Sequence, residues 1–382
     1  MADQSTHLTS LEVKGFRPFQ HLELTDLARV NLVVGKNSVG KTSLLEALAL
    51  LATEGSPRQI RDLLHDRREI SIDRTSETED DRLPLLSIYQ LNYNSLFWGR
   101  PDLALEQPSF RIEGKAKGFP DPYRLDVSAG LYIEENVTVE GTVINRIRRA
   151  SDRTEEEEGG FVGVGVNFMG QESVVIPDRT SRFVRSRIRK SDSFGYFQFV
   201  PAEGFPPSEA SLLWDGVALR PEEENVYQAL RLIRPDLERV VFVGGTSSRV
   251  ERFALARLSG TATPVPLRSL GEGINHLFGI AAALAASRGG MLLVDEVENG
   301  LHYSVMADLW KVILQQSREL DVQVFATTHS LDCLRGFQAA TQGLDPTEAR
   351  LIRLEGADGI VKGIPFDPEE LDLVMRGRIE VR

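Results

Sequence analysis

Cysteine is almost missing. Cys333 is the only one in 382 residues, which excludes a disulfide framework and any zinc site built on several thiolates. Long apolar runs are missing too. The longest, near Leu277 to Ala286, falls short of the roughly 20 residues a spanning helix needs. The opening Met1-Ala2-Asp3-Gln4-Ser5-Thr6 lacks the basic-then-apolar order of a secretory signal, so a cytoplasmic protein with no membrane partner is expected. Positive charge is in deficit: 44 Lys and Arg against 56 Asp and Glu leave a formal net charge of −12. Such a chain does not coat nucleic acid over its whole surface, although a local basic patch can still bind it. No sustained heptads occur, which argues against a long coiled-coil arm. The guanine-reading Asn-Lys-x-Asp motif and the metal-binding Asp-x-Asp pair are both absent.

What is present centres on Gly35-Lys36-Asn37-Ser38-Val39-Gly40-Lys41-Thr42. The stretch fits G-x-x-x-x-G-K-[ST], a loop whose backbone N–H groups cradle nucleotide phosphates. The apolar run Val30 to Val34 before it reads as a buried strand, and Ser43 to Leu51 after it reads as a helix. That context is what the motif requires, since the helix N-terminus adds favourable dipole charge. Lys41 is expected to reach the β- and γ-phosphates, and the Thr42 hydroxyl to ligate Mg²⁺.

With 41% hydrophobic and 26% charged residues, the chain reads as globular, either as two domains or as one large domain with an insertion. Residues 8–34 read as strands, and the helix after the loop stops at Glu54-Gly55-Ser56-Pro57. Between residue 57 and about 190, short β-like segments (Leu85 to Leu91, Tyr123 to Val127, Leu131 to Val139) alternate with charged turns. The acidic run Glu155 to Glu158 reads as a solvated loop. Arg179, Arg182, Arg185, Arg187, Arg189 and Lys190 form the one dense basic stretch. It either faces phosphates or forms a solvated face, and no aromatic interleaving accompanies it. From Tyr196 the chain again looks like a nucleotide-binding core, with helices at Ser211 to Asp215 and Glu222 to Ile233 and a strand at Val240 to Val243.

A second cluster of chemistry lies downstream. Met291-Leu292-Leu293-Val294-Asp295-Glu296 is an apolar strand ending in two carboxylates, a Walker B pattern. Strands of this kind aim their C-terminal side chains at the ligand crevice of an α/β sheet. Asp295 is expected to hold Mg²⁺ and Glu296 to polarise the attacking water. Val322 to Ser330 is another buried strand with His329 just past its end, where an imidazole can bond the γ-phosphate. Ser269-Leu270-Gly271-Glu272-Gly273 leads into the apolar helix Leu277 to Ala286 and offers a second anion site. One nucleotide needs one cradle, so two copies facing head-to-tail would use both.

Taken in order, the phosphate loop, Ser-Leu-Gly-Glu-Gly, Val-Asp-Glu-Val-Glu-Asn-Gly-Leu-His and Ala-Thr-Thr-His-Ser resemble the ABC-type ATPases of the SMC, RecF and OLD (overcoming lysogenization defect) group. More closely, the chain looks like the predicted AAA-type ATPases that are similar to the OLD ATPase domain. The matching stretches are Leu11 to Leu51, Phe199 to Glu203 and Leu267 to Leu334, roughly a third of the chain. The resemblance implies an α/β P-loop NTPase fold, ABC-ATPase-like, with a mostly β inserted subdomain. The expected division is an N-terminal lobe over 1–56, the insert over 57–190, and a C-terminal lobe over 191–382. It also implies ATP and Mg²⁺ as cofactors and a homodimer or higher homo-oligomer. By position, Gly35 to Thr42 form the phosphate loop and Ser43 caps it, while Thr42 and Asp295 hold the metal. Glu296 is the general base, His329 the switch histidine, and Asn299 to His302 the loop coupling two sites. Ser269, Gly271 and Gly273 become a signature acting on the partner's nucleotide, although the usual Leu-Ser-Gly-Gly-Gln is not reproduced. No glutamine loop is placed; Gln198 is the nearest candidate.

OLD proteins continue into a Toprim nuclease that needs an Asp-x-Asp pair, whereas residues 331–382 read as a hairpin (Ala349 to Gly363) and a short helix. By family analogy, the expected function is an ATP-hydrolysing switch subunit that regulates a separately encoded effector or nuclease, as in anti-phage defence. The alternatives are a RecF- or SMC-like repair ATPase that binds DNA directly, a small-molecule kinase, and a non-enzymatic scaffold.

Overall fold

The structure, a computed structural model, describes residues 6–72, 89–139, 142–150, 161–175, 189–244 and 252–377. The acidic run 155–158 and most of the basic stretch, Arg179 to Arg187, lie outside the described residues. Among those described, a fourteen-stranded sheet forms the frame.

One half of the sheet is parallel. Gly195–Val200, Met291–Val294, Gln323–Thr327, Val30–Gly35 and Ala349–Ala357 lie side by side in that order, each parallel to its neighbour. Their residues are largely apolar on both faces, as strands covered on both sides tend to be. Val30, Leu32, Val34, Leu292, Val294, Val324 and Ala326 face one core, packed by the helices Glu272–Ala286, Met306–Glu319 and Leu331–Thr341. Val33, Leu293 and Phe325 face the other, packed by the helix Lys41–Ala52. That helix is buried at every position but Thr42, in keeping with its nearly unbroken apolar sequence. The single polar side chain of the Val30–Gly35 strand, Asn31, is buried with both ends paired to the backbone of Ala28, at 2.8 and 2.7 Å.

The other half is antiparallel except where Ile360–Phe366 runs parallel to Phe19–Leu24. Ala349–Ala357 turns into Ile360–Phe366, which pairs with Phe19–Leu24, which pairs with Leu8–Phe16. Leu8–Phe16 then pairs with Ser109–Ala116, followed by Tyr123–Val139, Phe161–Phe168 and Gln171–Val175. The β-rich stretch after residue 57 therefore extends the sheet of the nucleotide-binding half through main-chain hydrogen bonds. The segments Tyr123 to Val127 and Leu131 to Val139, expected as two strands, form one of 17 residues. Ser128-Ala129-Gly130 breaks the apolar alternation, yet it pairs in register with Gly165, Val164 and Gly163. Pairing with a neighbour overrides weak local propensity there.

Other elements differ modestly from expectation. The helix expected at Ser211 starts at Pro207, and the one expected over Glu222 to Ile233 spans Glu223–Arg231. Leu237–Val243 belongs to a separate three-stranded sheet with Phe253–Leu258 and Val265–Pro266. Among the described residues, no helix is long and apolar enough to cross a membrane.

Candidate functional site

Because Met291–Val294, Gln323–Thr327 and Val30–Gly35 run parallel and adjacent, their carboxyl ends meet along one edge of the sheet. Asp295 and Glu296, Thr327 to His329, and the phosphate loop all start from that edge. The crevice outside strand carboxyl ends is where open α/β sheets bind ligands.

The loop turns on Gly40, whose φ of +105° suits glycine, and a Cβ there would lie 2.6 Å from the Phe19 ring and 3.0 Å from Pro18. Lys36, Asn37 and Ser38 are exposed, and Val39 is half-buried. Lys41 is buried and folds back, its Nζ donating to the carbonyls of Gly35 at 2.7 Å and Lys36 at 3.2 Å. Burial pulls the Lys41 ammonium below its usual pKa, while the carboxylates Asp295, Glu296 and Glu298 oppose that shift. The three nearby carboxylates thus help to keep the buried cation charged.

The Thr42 hydroxyl donates to Asp295 Oδ2 at 2.9 Å. The other Asp295 oxygen accepts from the Thr327 hydroxyl, and the same hydroxyl accepts from the Glu296 amide at 2.9 Å. Thr327 therefore fixes both carboxylate residues at once. Glu296 has φ +48°, a left-handed conformation unusual for its residue type. Its side chain is held by Asn299 Nδ2 at 2.9 Å and approached by His329 Nε2 at 3.5 Å. Asn299 also donates to the Ala202 carbonyl at 2.9 Å, tying its loop to the turn after Gly195–Val200. Glu298 Oε1 accepts from the amides of His329 and Ser330, at 3.0 and 3.1 Å, and so clamps the histidine's backbone.

Behind the loop, Glu46 is buried and meets Arg17 at 2.8 Å and Arg67 at 2.7 Å. Burial pushes the Glu46 carboxyl above its usual range, opposed by those two guanidinium groups. Arg67 also donates to Ser43 Oγ at 3.2 Å.

The expected residues fall into two groups. Gly35, Lys36, Asn37, Ser38, Gly40, Lys41, Thr42, Ser43, Glu296 and His329 line one groove of about 1460 Å³. Ser269, Gly271 and Gly273 do not line it. Ser269 and Gly271 are exposed, beside a second groove of about 1560 Å³ whose walls include Arg268, Glu272, Thr42 and Asp295. Gly273 packs so closely on the loop that carries Asn299 that a Cβ would lie 2.3 Å from the Gly300 carbonyl. Gln198 is buried within its strand and lines the second groove.

Sequence reasoning gave no role to Thr327, Glu298 or Arg67. Thr327 looked like an ordinary β-branched strand residue. Only the side-by-side register of the two strands shows its contact with Asp295.

The oxygen donors suit a hard divalent cation. Mg²⁺ is commonly held by one or two carboxylates together with substrate phosphates rather than by an all-protein cage. Thr42 and Asp295 provide a hydroxyl and a carboxylate in contact, and no cluster of three or more His, Cys, Asp or Glu side chains suited to a metal occurs among the described residues.

Two family models match the chain. One, described as an AAA ATPase domain, matches residues 7–88. The other, an AAA domain whose description names the AbiEii toxin and a type IV toxin–antitoxin system, matches residues 174–334. An "ATP/GTP phosphatase" of Helicobacter pylori is 21% identical over 339 residues, 85% of each chain. The DNA replication and repair protein RecF of Thioalkalivibrio sulfidiphilus is 48% identical over 59 residues, 15% of this chain and 16% of that protein. Among solved structures, the Smc head domain from Pyrococcus furiosus, crystallised with an extended coiled coil and the C-terminal domain of ScpA, aligns with a TM-score of 0.51 at 11% identity. The alignment covers 98% of this chain and 99% of that one. The chain thus has the SMC-head type of P-loop NTPase fold and carries AAA-type ATPase sequence resembling RecF.

Proposed function

We propose that this chain hydrolyses ATP with Mg²⁺ and dimerises head-to-tail around the nucleotide, and that this cycle switches a separately encoded effector. The observation that carries the reading is the Thr42–Asp295 contact of 2.9 Å, with Glu296 and His329 beside it. The residues that take part come from the carboxyl ends of three adjacent strands, so a triphosphate lying along the loop meets all of them.

In this reading the loop amides and Lys41 bind the phosphates, and Lys41 exchanges its two carbonyl partners for phosphate oxygens. Thr42 and Asp295 hold Mg²⁺, which supplies neutralisation of charge on the β- and γ-phosphates. Glu296 orients and deprotonates the attacking water, with Asn299 and Thr327 fixing the carboxylate's place. His329 senses the γ-phosphate. Ser269, Gly271 and Gly273 of one copy face the nucleotide of the other, and the packing of Gly273 on Gly300 links that contact to Asn299 and Glu296. The toxin–antitoxin system named for the matched family model favours an effector partner, with anti-phage defence in the cytoplasm as one setting. The resemblance to RecF favours a second reading, direct DNA binding. A gel shift with duplex DNA that weakens steeply with salt and disappears when Arg189 and Lys190 are reversed would favour that second reading.

Steady-state phosphate release from ATP, with and without Mg²⁺, tests the enzymatic core. Lys41→Ala and Asp295→Asn should each lower turnover by about a hundredfold or more, the scale of losing a major charge-stabilising group. Turnover unchanged in both folded variants would refute the assignment.

A further inference from the structure

The phosphate-loop groove extends to a wall that the nucleotide motifs do not explain. That wall is the turn from Phe97 to Arg100. Phe97 is buried, packs on Phe110 with ring centroids 5.5 Å apart, and bridges to Phe16. The Trp98 amide donates to the Gly15 carbonyl at 2.8 Å, and the Arg100 amide to that of Phe97 at 3.1 Å. The backbone here is therefore fixed to the first strand of the sheet. The indole of Trp98 stays outside the core, 43% exposed, whereas Trp214 and Trp310 are 4% and 0% exposed. One edge of the indole rests on the hairpin turn at Gly359, where a Cβ would lie 2.5 Å from Trp98 Nε1. Pro18, against which Gly40 packs, lines the same groove.

We propose that Trp98 is the platform on which the base of a bound nucleotide stacks, and that the site accepts purine nucleoside triphosphates with little discrimination between adenine and guanine. The proposal rests on the reading of this groove as a nucleotide site. A fixed, half-exposed indole at the end of a phosphate groove offers an aromatic face, and stacking on an aromatic face is available to every base. Purines gain more than pyrimidines because they cover more of the ring. Discrimination is a separate matter, since it needs groups that read the base edge. Adenine presents an amino donor where guanine presents O6, and guanine adds an N2 amino group. The wall around Trp98 (Pro18, Ser95, Phe97, Gly99, Arg100) carries no carboxylate and no side-chain amide. The Ser95 hydroxyl is already donated to the Asn92 carbonyl at 2.8 Å. A free guanidinium would favour guanine by donating to O6 and N7 together, but that of Arg100 is turned to the Glu69 carboxylate, at 3.4 Å.

The test is calorimetric titration of the full chain with the Mg²⁺ complexes of ATP, GTP, CTP and inorganic tripolyphosphate. The wild-type protein should bind ATP and GTP within about fivefold of each other, as a site without edge-reading groups would, and CTP more weakly. Trp98→Ala should weaken ATP and GTP by about tenfold, the scale of one lost base–aromatic stack, and leave tripolyphosphate unchanged. Trp98→Phe should restore most of the affinity. ATP, but not tripolyphosphate, should quench tryptophan fluorescence, and Trp98→Phe should abolish that quenching. If tripolyphosphate binds while a folded Trp98→Ala protein binds ATP as the wild type does, the platform is refuted. A preference for one purine above about a hundredfold, the mark of a site with edge-specific hydrogen bonds, would overturn the lack of discrimination. If neither ATP nor tripolyphosphate binds, the nucleotide reading itself falls.

Discussion

Replacing Thr327 by valine removes one hydroxyl and little else, because the two side chains have nearly the same shape. That hydroxyl donates to Asp295 and accepts from the Glu296 amide, and Thr327 is fully buried. A hydrogen bond to a charged group contributes about 1.5–3 kcal/mol, and an amide left unpaired costs about 1–3 kcal/mol. Because Glu296 is only partly buried, the lower ends of both ranges apply, and stability should drop by about 2.5 kcal/mol. At about 2 °C per kcal/mol for a large domain, the melting temperature should fall by roughly 5 °C. The effect on catalysis should be the larger one. Glu296 sits at φ +48°, a conformation that costs about 1–3 kcal/mol and persists only when its surroundings hold it. With the Thr327 tether gone, Glu296 relaxes and kcat for ATP should fall about 10–100-fold, equivalent to roughly 1.4–2.7 kcal/mol of lost transition-state stabilisation. KM should change little, since the phosphate loop is untouched. Thr341→Val is the control. It also removes a buried hydroxyl, one donating to the Phe337 carbonyl at 2.9 Å, but at the last turn of the helix Leu331–Thr341, the end away from His329. Calorimetry and steady-state phosphate release read both variants. Thr327→Val with wild-type kcat and no more destabilisation than Thr341→Val would refute the claim that this hydroxyl positions the carboxylates.

Two further predictions follow from the geometry. Gly40→Ala places a Cβ 2.6 Å from the Phe19 ring at φ +105°, so it should destabilise the apo protein by about 1–3 kcal/mol and remove ATP-induced thermal stabilisation. A variant still stabilised by ATP would show that the loop tolerates the shift. His276 is buried, and burial holds its imidazole below the usual pKa. The unfolded chain therefore takes up a proton first as pH falls through about 6.5, and stability is lost from there down to the depressed folded pKa. Urea titrations between pH 7 and 5 should show a steeper loss for wild type than for His276→Gln, by at most about 1.4 kcal/mol per pH unit. Parallel curves would contradict a neutral buried imidazole.

What could be read from sequence follows from how local each signal is. The phosphate loop, its strand and its helix occupy Val30 to Ala52 without a break, so pattern and periodicity sufficed. The carboxylate strand was equally visible, because four apolar residues must be buried before two acids can sit at a crevice. The pairing of Leu8–Phe16 with Ser109–Ala116 spans about a hundred residues, and no local pattern announces such a contact. The Thr327–Asp295 and Arg67–Ser43 contacts share that origin. Trp98 carried no motif at all, and its place on the groove depends on the bridge between Phe16 and Phe97.

The central claim is that ATP joins two copies through the Ser269–Gly273 segment, in which Ser269 and Gly271 are exposed. Light scattering on the Glu296→Gln variant, which should bind but not hydrolyse, tests it most directly. Addition of ATP and Mg²⁺ should raise the mass to that of a dimer or a larger stable assembly, and a second substitution, Ser269→Arg, should abolish the change. A mass that does not respond to ATP, together with a Ser269→Arg protein that behaves like its parent, would contradict the account.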